Sequence, residues 1–295
     1  READMDEHVV ADLELDVAFV QRFDATFAAL SPDDFARRLR EGHGARWVVV
    51  GEDFRYGAGR RGDAASLAAA GRRLGFEVEI LPDAAAVARR GAEVVAETAA
   101  AAIDERGRFT LAVSGGHTPW AMFAELPDTL AWDRVTIFQV DERVAPDGDP
   151  DRNLTHLLAS LPAGAGADVQ AMPVGADDLD VAASEYAASL PHNLDLVHLG
   201  LGPDGHTASL VPGDPVLEVA DRDVAVTGEY QDRRRMTLTY PALDRSRAIL
   251  WLVTGEDKVD ALARLRAGDE SIPGGRIATE HALVVADAAA AGSAP

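Results

Sequence analysis

Phe109-Thr110-Leu111-Ala112-Val113-Ser114-Gly115-Gly116-His117-Thr118-Pro119 decides the fold class. A nearly continuous apolar run meets a hydroxyl, two glycines and a helix start. Runs of that kind, without alternation, mark strands buried on both faces. The pattern recurs along the chain. Residues 135–140 run into Asp141-Glu142-Arg143, residues 194–201 into Gly202, and residues 248–253 into Thr254-Gly255. Residues 282–286 form a further strand, and helical stretches separate most of these runs. Buried strands with helical crossovers predict an α/β fold with an open, mostly parallel, Rossmann-like sheet. Ligands of such sheets sit beyond the C-terminal strand ends, where the glycine-rich and polar clusters of this chain fall. Residues 224–227 and 235–239 predict an added strand pair, and the chain from Asp287 to Pro295 predicts a frayed tail.

Upstream, residues 84–105 are alanine-rich and strongly helix-forming. The first 83 residues carry their own alternation. Leu15–Phe19 and Trp47–Val50 are short apolar runs, and Glu77–Leu81 reads as a strand. Ser31-Pro32-Asp33-Asp34 has the Ser N-cap and N1 proline of a helix running to about Arg40, and Asp63–Leu74 predicts another. A length of 295 residues suits one large or two ordinary domains.

Apolar residues make up 47% of the chain and charged residues 26%, which is globular composition and excludes wholesale disorder. No apolar run approaches the roughly 20 residues of a membrane span. Arg1-Glu2-Ala3-Asp4-Met5-Asp6-Glu7 does not resemble a signal peptide. Cysteine is absent, which removes disulfides, thiolate nucleophiles and Cys-ligated metals. These features predict a cytoplasmic protein. Its formal charge of -22 repels nucleic acid and anionic membranes, so neither is an expected partner. Lys258 is the single lysine among 28 basic residues, in a chain that elsewhere uses arginine.

Four clusters carry chemistry. Gly200-Leu201-Gly202-Pro203-Asp204-Gly205-His206-Thr207-Ala208-Ser209-Leu210-Val211-Pro212-Gly213 runs from a strand into a glycine-rich turn and presents Asp204 and His206 two residues apart. An imidazole there suits a general base that activates water. Ser114-Gly115-Gly116-His117-Thr118 offers backbone N–H groups to an anion. It lacks the lysine and spacing of a Walker loop. Asp141-Glu142-Arg143, with Asn153 ten residues on, puts an arginine fork at a strand end. Arg235 and Lys258 can neutralise a phosphate if the fold brings them together. The four ask for one site holding a phosphorylated, polyhydroxylated small molecule beside a histidine, with no cofactor and no metal.

In order and content these clusters resemble the 6-phosphogluconolactonases, over residues 84–290. That family carries Ser-Gly-Gly-x-Thr-Pro, then Asp-Glu-Arg with a following Asn. Gly-x-Gly-x-Asp-Gly-His-x-Ala-Ser-Leu-x-Pro-Gly comes next, and an Arg-x-Thr-Leu-Thr strand and Gly-x-x-Lys come last. Val211 departs from the aromatic residue usual there, a change expected to alter packing more than chemistry. The resemblance implies hydrolysis of 6-phospho-D-glucono-1,5-lactone in the oxidative pentose phosphate pathway. It implies His206 as general base and Asp204 as the group orienting His206 or the water. It also implies Ser114, Gly115, Gly116, Thr118, Asp141, Arg143, Asn153, Gly205, Arg235 and Lys258 as candidates for binding substrate and phosphate.

The first 83 residues resemble something else. Trp47-Val48-Val49-Val50-Gly51-Glu52-Asp53-Phe54-Arg55-Tyr56-Gly57, followed by Gly59-Arg60-Arg61-Gly62-Asp63, is similar to the middle of the bacterial FAD synthetase domain. Residues 24–35 fit the same stretch. The resemblance implies a partial α/β nucleotidyltransferase-like unit. Its His-x-Gly-His is absent, since His43-Gly44 is not that motif, and so is the Ser-Ser-Thr-x-Ile-Arg expected downstream. The expected division is therefore a catalytically inactive segment over 1–83, a lactonase-like domain over 84–290 and a tail over 291–295. Two rivals remain for the main domain. A glucosamine-6-phosphate isomerase/deaminase shares the fold but carries Asn-Glu-Pro-Gly after its histidine turn, where this chain has Ser209-Leu210-Val211-Pro212-Gly213. The other rival is a non-catalytic sugar-phosphate-binding regulator.

Overall fold

The computed structural model describes residues 25–39, 55–63, 77–162, 164–278 and 281–292. The chain divides into two units, Arg1–Leu74 and Gly75–Pro295. In the first, α1 (Ala25–Ala28) and α2 (Pro32–Arg37) precede a short antiparallel ladder of β1 (Arg55–Tyr56) with β2 (Gly62–Asp63). The Ser31 hydroxyl accepts from the Asp34 N–H at 3.1 Å, the cap that Ser-Pro-Asp-Asp predicts. Phe35 packs on Tyr56 with ring centroids 5.0 Å apart. The predicted strands Leu15–Phe19 and Trp47–Val50, and the helix after Asp63, lie outside the described residues.

The second unit is built on an all-parallel sheet of seven strands. They are β3 (Glu77–Leu81), β4 (Phe109–Val113), β5 (Val135–Gln139), β7 (Asp168–Gln170), β8 (Leu196–Leu199), β11 (Ile249–Val253) and β12 (Ala282–Asp287), in the spatial order β3-β12-β11-β8-β4-β5-β7. All residues of β4, β8 and β11 are buried, as continuous apolar runs require. Successive side chains alternate between two cores. Phe109, Leu111, Leu250 and Leu252 face one; Ala112, Val197, Trp251 and Val253 face the other.

The long helix α3 (Ala84–Arg106) starts on Asp83, whose carboxylate accepts from the Ala86 N–H at 2.7 Å. Its buried face is Val87, Ala88, Gly91, Ala92, Val95, Ala99 and Ala102, a helical period made of small residues. That explains the alanine content: small side chains let the helix backbone lie close on the sheet. Glu77–Leu81, which falls within the first 83 residues, is the edge strand of the second unit's sheet and pairs with β12.

The structure goes beyond the sequence reading at two places. Asp141-Glu142-Arg143 lies where the 135–140 run ends, as expected. It forms β6 (Asp141–Arg143) in a separate antiparallel sheet, β6-β10-β9, with β9 (Val224–Val226) and β10 (Arg235–Leu238) as the added pair. Val140 is where the chain changes sheets. Its N–H donates to Val113 O at 3.0 Å in the large sheet, and its carbonyl accepts from the Leu238 N–H at 2.7 Å in the small one. The tail is also ordered further than predicted. The Asp287 carboxylate accepts from the N–H groups of Gly255 and Ala290, and the Ala288 N–H donates to Leu81 O at 2.7 Å. Residues 293–295 lie outside the described residues.

Candidate active site

A cleft of about 210 Å³ opens where β4, β8 and the small sheet end together. Its lining includes Ser114, Gly115, Gly116, Asp141, Arg143, Asn153, His206, Arg235 and Lys258, so nine of the twelve residues singled out from the sequence converge. The other three sit behind it. Asp204 pairs with His206. The Gly205 N–H donates to Gly202 O and its carbonyl accepts from the Gly274 N–H, which fixes the turn. The Thr118 hydroxyl lies 3.0 Å from that of Thr254, tying the start of α4 (His117–Ala124) to the end of β11.

The histidine turn is held from within. Asp204 Oδ1 accepts from the His206 backbone N–H at 3.1 Å and lies 2.5 Å from His206 Nδ1. Burial raises the Asp204 carboxyl, but the His206 N–H, charge and ring together outweigh it and leave it below its usual range. Asp204 is therefore an anion across the physiological range. It places the histidine proton on Nδ1 and leaves Nε2 as acceptor. Gly202 is required by close approach, because a Cβ there would stand 2.1 Å from His206 Nδ1.

The cationic side is built by strand pairing. In the β6–β10 register Arg143 lies directly opposite Arg235, and Glu142 opposite Met236. Like charges in direct opposition destabilise a sheet unless an anion lies between them. Arg143 Nη1 donates to Asp151 O at 2.8 Å and to Asn153 Oδ1 at 2.9 Å. Arg235 is 4% exposed, and its Nη2 donates to Gln231 Oε1 at 3.1 Å. Its buried Nε finds no hydrogen-bond partner among the described residues. Burial lowers the Arg235 pKa, partly offset by the nearby Asp141 carboxylate. Asp141 is itself raised by burial, against the Ser209 hydroxyl at 2.6 Å and the two arginines. Lys258 lines the cleft from the turn before α6 (Val259–Arg266), its ammonium 2.9 Å from Asp257.

Glu142 is the anchor that motif reading passes over. It is fully buried. Oε1 accepts from the N–H groups of Arg143 and Asn153, both at 2.8 Å. Oε2 accepts from Gln139 Nε2 at 2.9 Å and the Leu154 N–H at 2.8 Å, and ion-pairs with the buried Arg152 at 3.1 Å. One carboxylate thus fixes the first turn of α5 (Asn153–Ser160) against β6 and aims Asn153 at the cleft. Gly115 answers the same approach from the other side, since a Cβ there would meet Asn153 Oδ1 at 2.0 Å. Glu142 stood inside the Asp-Glu-Arg triplet; what hid its role was that all its partners depend on the fold. Tyr230 and Gln231, which reach Arg235 from the hairpin between β9 and β10, belong to no motif.

A larger surface groove, about 810 Å³, runs past Arg152, Leu158 and Met172. Its two charged residues, Asp147 and Arg152, pair with each other at 3.0 Å, so it offers no free cation to a phosphate.

Known proteins give the same outline. The sequence model of the glucosamine-6-phosphate isomerases/6-phosphogluconolactonase family matches residues 82–286, and that of FAD synthetase matches residues 3–94. A 6-phosphogluconolactonase of Nostoc sp. is 34% identical over 209 residues, covering 64% of this chain and 85% of the relative. One of Mesorhizobium japonicum is 39% identical over 189 residues, covering 60% and 79%. Among solved structures, a 6-phosphogluconolactonase of Shewanella baltica superposes with a TM-score of 0.63 at 25% identity, over 71% of this chain and 97% of that one. The Thermotoga maritima structure, at 24% identity, shares the fold with a TM-score of 0.65 over 71% and 98%.

Proposed function

The chain belongs to the glucosamine-6-phosphate isomerases/6-phosphogluconolactonase family, and from that premise we propose that it hydrolyses 6-phospho-D-glucono-1,5-lactone to 6-phospho-D-gluconate in the oxidative pentose phosphate pathway. It is a lactonase, and its substrate is a small sugar-phosphate lactone. The observation that carries this reading is the opposition of Arg143 and Arg235 in one cleft with the His206–Asp204 pair.

The phosphate lies between Arg143 and Arg235, with Lys258 completing its cradle. Ser114, Gly115, Gly116 and Asn153 face the sugar, and Asp141 lies beneath it. Thr118 and Gly205 hold the walls. His206 Nε2 takes a proton from water as the water oxygen bonds to lactone C1. The tetrahedral intermediate collapses, the bond from C1 to the ring oxygen breaks, and the ring oxygen takes the proton from His206. The ring-opened acid then ionises. Asp204 keeps the imidazole in the tautomer this needs and stabilises it when charged. The carbonyl is already electrophilic, so the step calls on no cofactor.

An isomerase/deaminase moves protons between carbons and needs a further carboxylate after the histidine turn. Here the buried Leu210 and Val211 occupy that stretch. No helix among the described residues is long and apolar enough to cross a membrane. We propose a cytoplasmic location, because a phosphorylated substrate does not cross membranes unaided.

The test is lactone hydrolysis by the full chain, with the spontaneous rate subtracted. Turnover of the phosphorylated lactone, with none of glucosamine 6-phosphate, supports the reading. The reverse preference moves the chain to the isomerase branch. Tight binding of 6-phosphogluconate without turnover makes it a sugar-phosphate-binding regulator.

A further inference from the structure

The hairpin joining β9 to β10 ends in a two-residue turn. The Tyr230 N–H donates to Arg233 O at 3.0 Å, and the Arg233 N–H to Tyr230 O at 3.3 Å. Both residues between them are left-handed, Gln231 at φ 53° and Asp232 at φ 60°. Such turns favour Asn-Gly or Asp-Gly. Two successive non-glycine residues there store strain, which persists only where the surroundings over-determine it.

The strained turn aims two side chains at residues that line the cleft. Gln231 Oε1 accepts from Arg235 Nη2 at 3.1 Å. The Tyr230 ring lies 5.0 Å from the Arg235 guanidinium carbon and 5.6 Å from the His206 ring, at 64° to it. Tyr230 is half-buried and touches both the cation and the base of the proposed reaction. The buried Arg235 stands opposite Arg143, with no hydrogen-bond partner for its Nε among the described residues. An aromatic face offsets part of the cost of holding that cation away from water and fixes the plane of its fork.

We infer that Tyr230 is a positioning residue. Its ring holds the Arg235 guanidinium toward the phosphate and the His206 imidazole toward the lactone, so one side chain couples phosphate capture to water activation. The His206 half rests on the lactonase reading; the Arg235 half needs only an anion in the cradle. The contacts are made by the ring. Among the described residues the Tyr230 hydroxyl makes no hydrogen bond, so phenylalanine serves in its place.

The experiment compares Tyr230→Ala and Tyr230→Phe in the full chain. It measures calorimetric binding of inorganic phosphate and of 6-phosphogluconate, then kcat and KM on the lactone. Tyr230→Ala is expected to weaken both ligands about tenfold, the scale of a desolvated cation–π contact. It is also expected to lower kcat as well as raise KM. Tyr230→Phe is expected to restore all of these to within twofold of wild type. In combination with Arg235→Gln, which removes the cation, the Tyr230→Ala penalty on phosphate binding shrinks below twofold. Wild-type affinity and kcat in Tyr230→Ala overturn the inference. So does a loss in Tyr230→Phe equal to that in Tyr230→Ala, or an undiminished penalty beside Arg235→Gln. A wild-type chain that binds phosphate but hydrolyses no lactone overturns the lactonase reading alone, and the phosphate affinities then decide the role of Tyr230. A chain that binds neither ligand overturns both.

Discussion

The two sheets of the second unit divide the work unequally. The seven-stranded parallel sheet is apolar on both faces and brings His206, Ser114 and Lys258 to the ends of its strands. The three-stranded antiparallel sheet is small, yet it carries the opposed arginines, Asp141 and the hairpin that holds Tyr230. The first has burial to spare: β4, β8 and β11 are wholly buried. The second spends its polar groups on one another, and Glu142 alone satisfies four donors and a buried arginine. In the proposed reaction the large sheet positions the proton-transfer pair together with Lys258, and the small sheet positions the two opposed arginines.

The largest expected effect breaks that division on the proton-transfer side. His206→Ala should lower kcat by about 10²–10⁴-fold, the usual share of a general base, while far-UV circular dichroism and the unfolding midpoint stay in place. Turnover within twofold of wild type would remove His206 from its role. Next comes the joint between the sheets. Glu142→Gln keeps the shape but leaves the buried Arg152 with only the exposed Asp147 as counter-charge. Urea unfolding should show a loss of about 3 kcal/mol, in the range for breaking a buried ion pair. A loss under about 0.5 kcal/mol would mean that α5 and β6 stay together without that carboxylate.

The third effect separates charge recognition from chemistry. Lys258→Ala should raise KM for the phosphorylated lactone about tenfold, the scale of one charge-assisted hydrogen bond, with kcat changed far less. The same loss on a non-phosphorylated lactone would show that Lys258 does not meet the phosphate. The smallest is a matter of pH. The Asp204 carboxyl sits below its unfolded value, so the stability it contributes is present above about pH 4 and is lost as pH falls through the lowered folded value. Asp204→Asn removes that titration. Its unfolding midpoint should fall less steeply than that of wild type as pH drops below about 4, and turnover near neutrality should drop severalfold. Parallel acid limbs would show that the Asp204–His206 pairing does not persist in solution.

Much of this site was legible before folding, because its signals are local. Ser114-Gly115-Gly116, Asp141-Glu142-Arg143 and Gly202-Pro203-Asp204-Gly205-His206 each read as a strand end with a defined chemistry, and Asp204 reaches His206 within a single turn. What stayed hidden depended on distant partners. Residue 140 reads as one more apolar strand position, yet it is where the chain leaves one sheet for the other. The tail after Asp287 looked unanchored because Gly255 and Leu81, which hold it, are far away in sequence. Gln231-Asp232 gave no turn signal, because the glycine usual at the second position is absent and Gln does not favour the left-handed backbone that the hairpin imposes.

The sequence by itself determined the parallel sheet, the alanine-lined helix and the turn that pairs Asp204 with His206. Hydrophobic periodicity and turn chemistry act over a few residues and need no long-range information. Only the tertiary structure decided that Arg143 faces Arg235 and that Tyr230 lies between Arg235 and His206. Those meetings are fixed by strand register and by the passage from one sheet to the other, and register is set by packing across the whole domain.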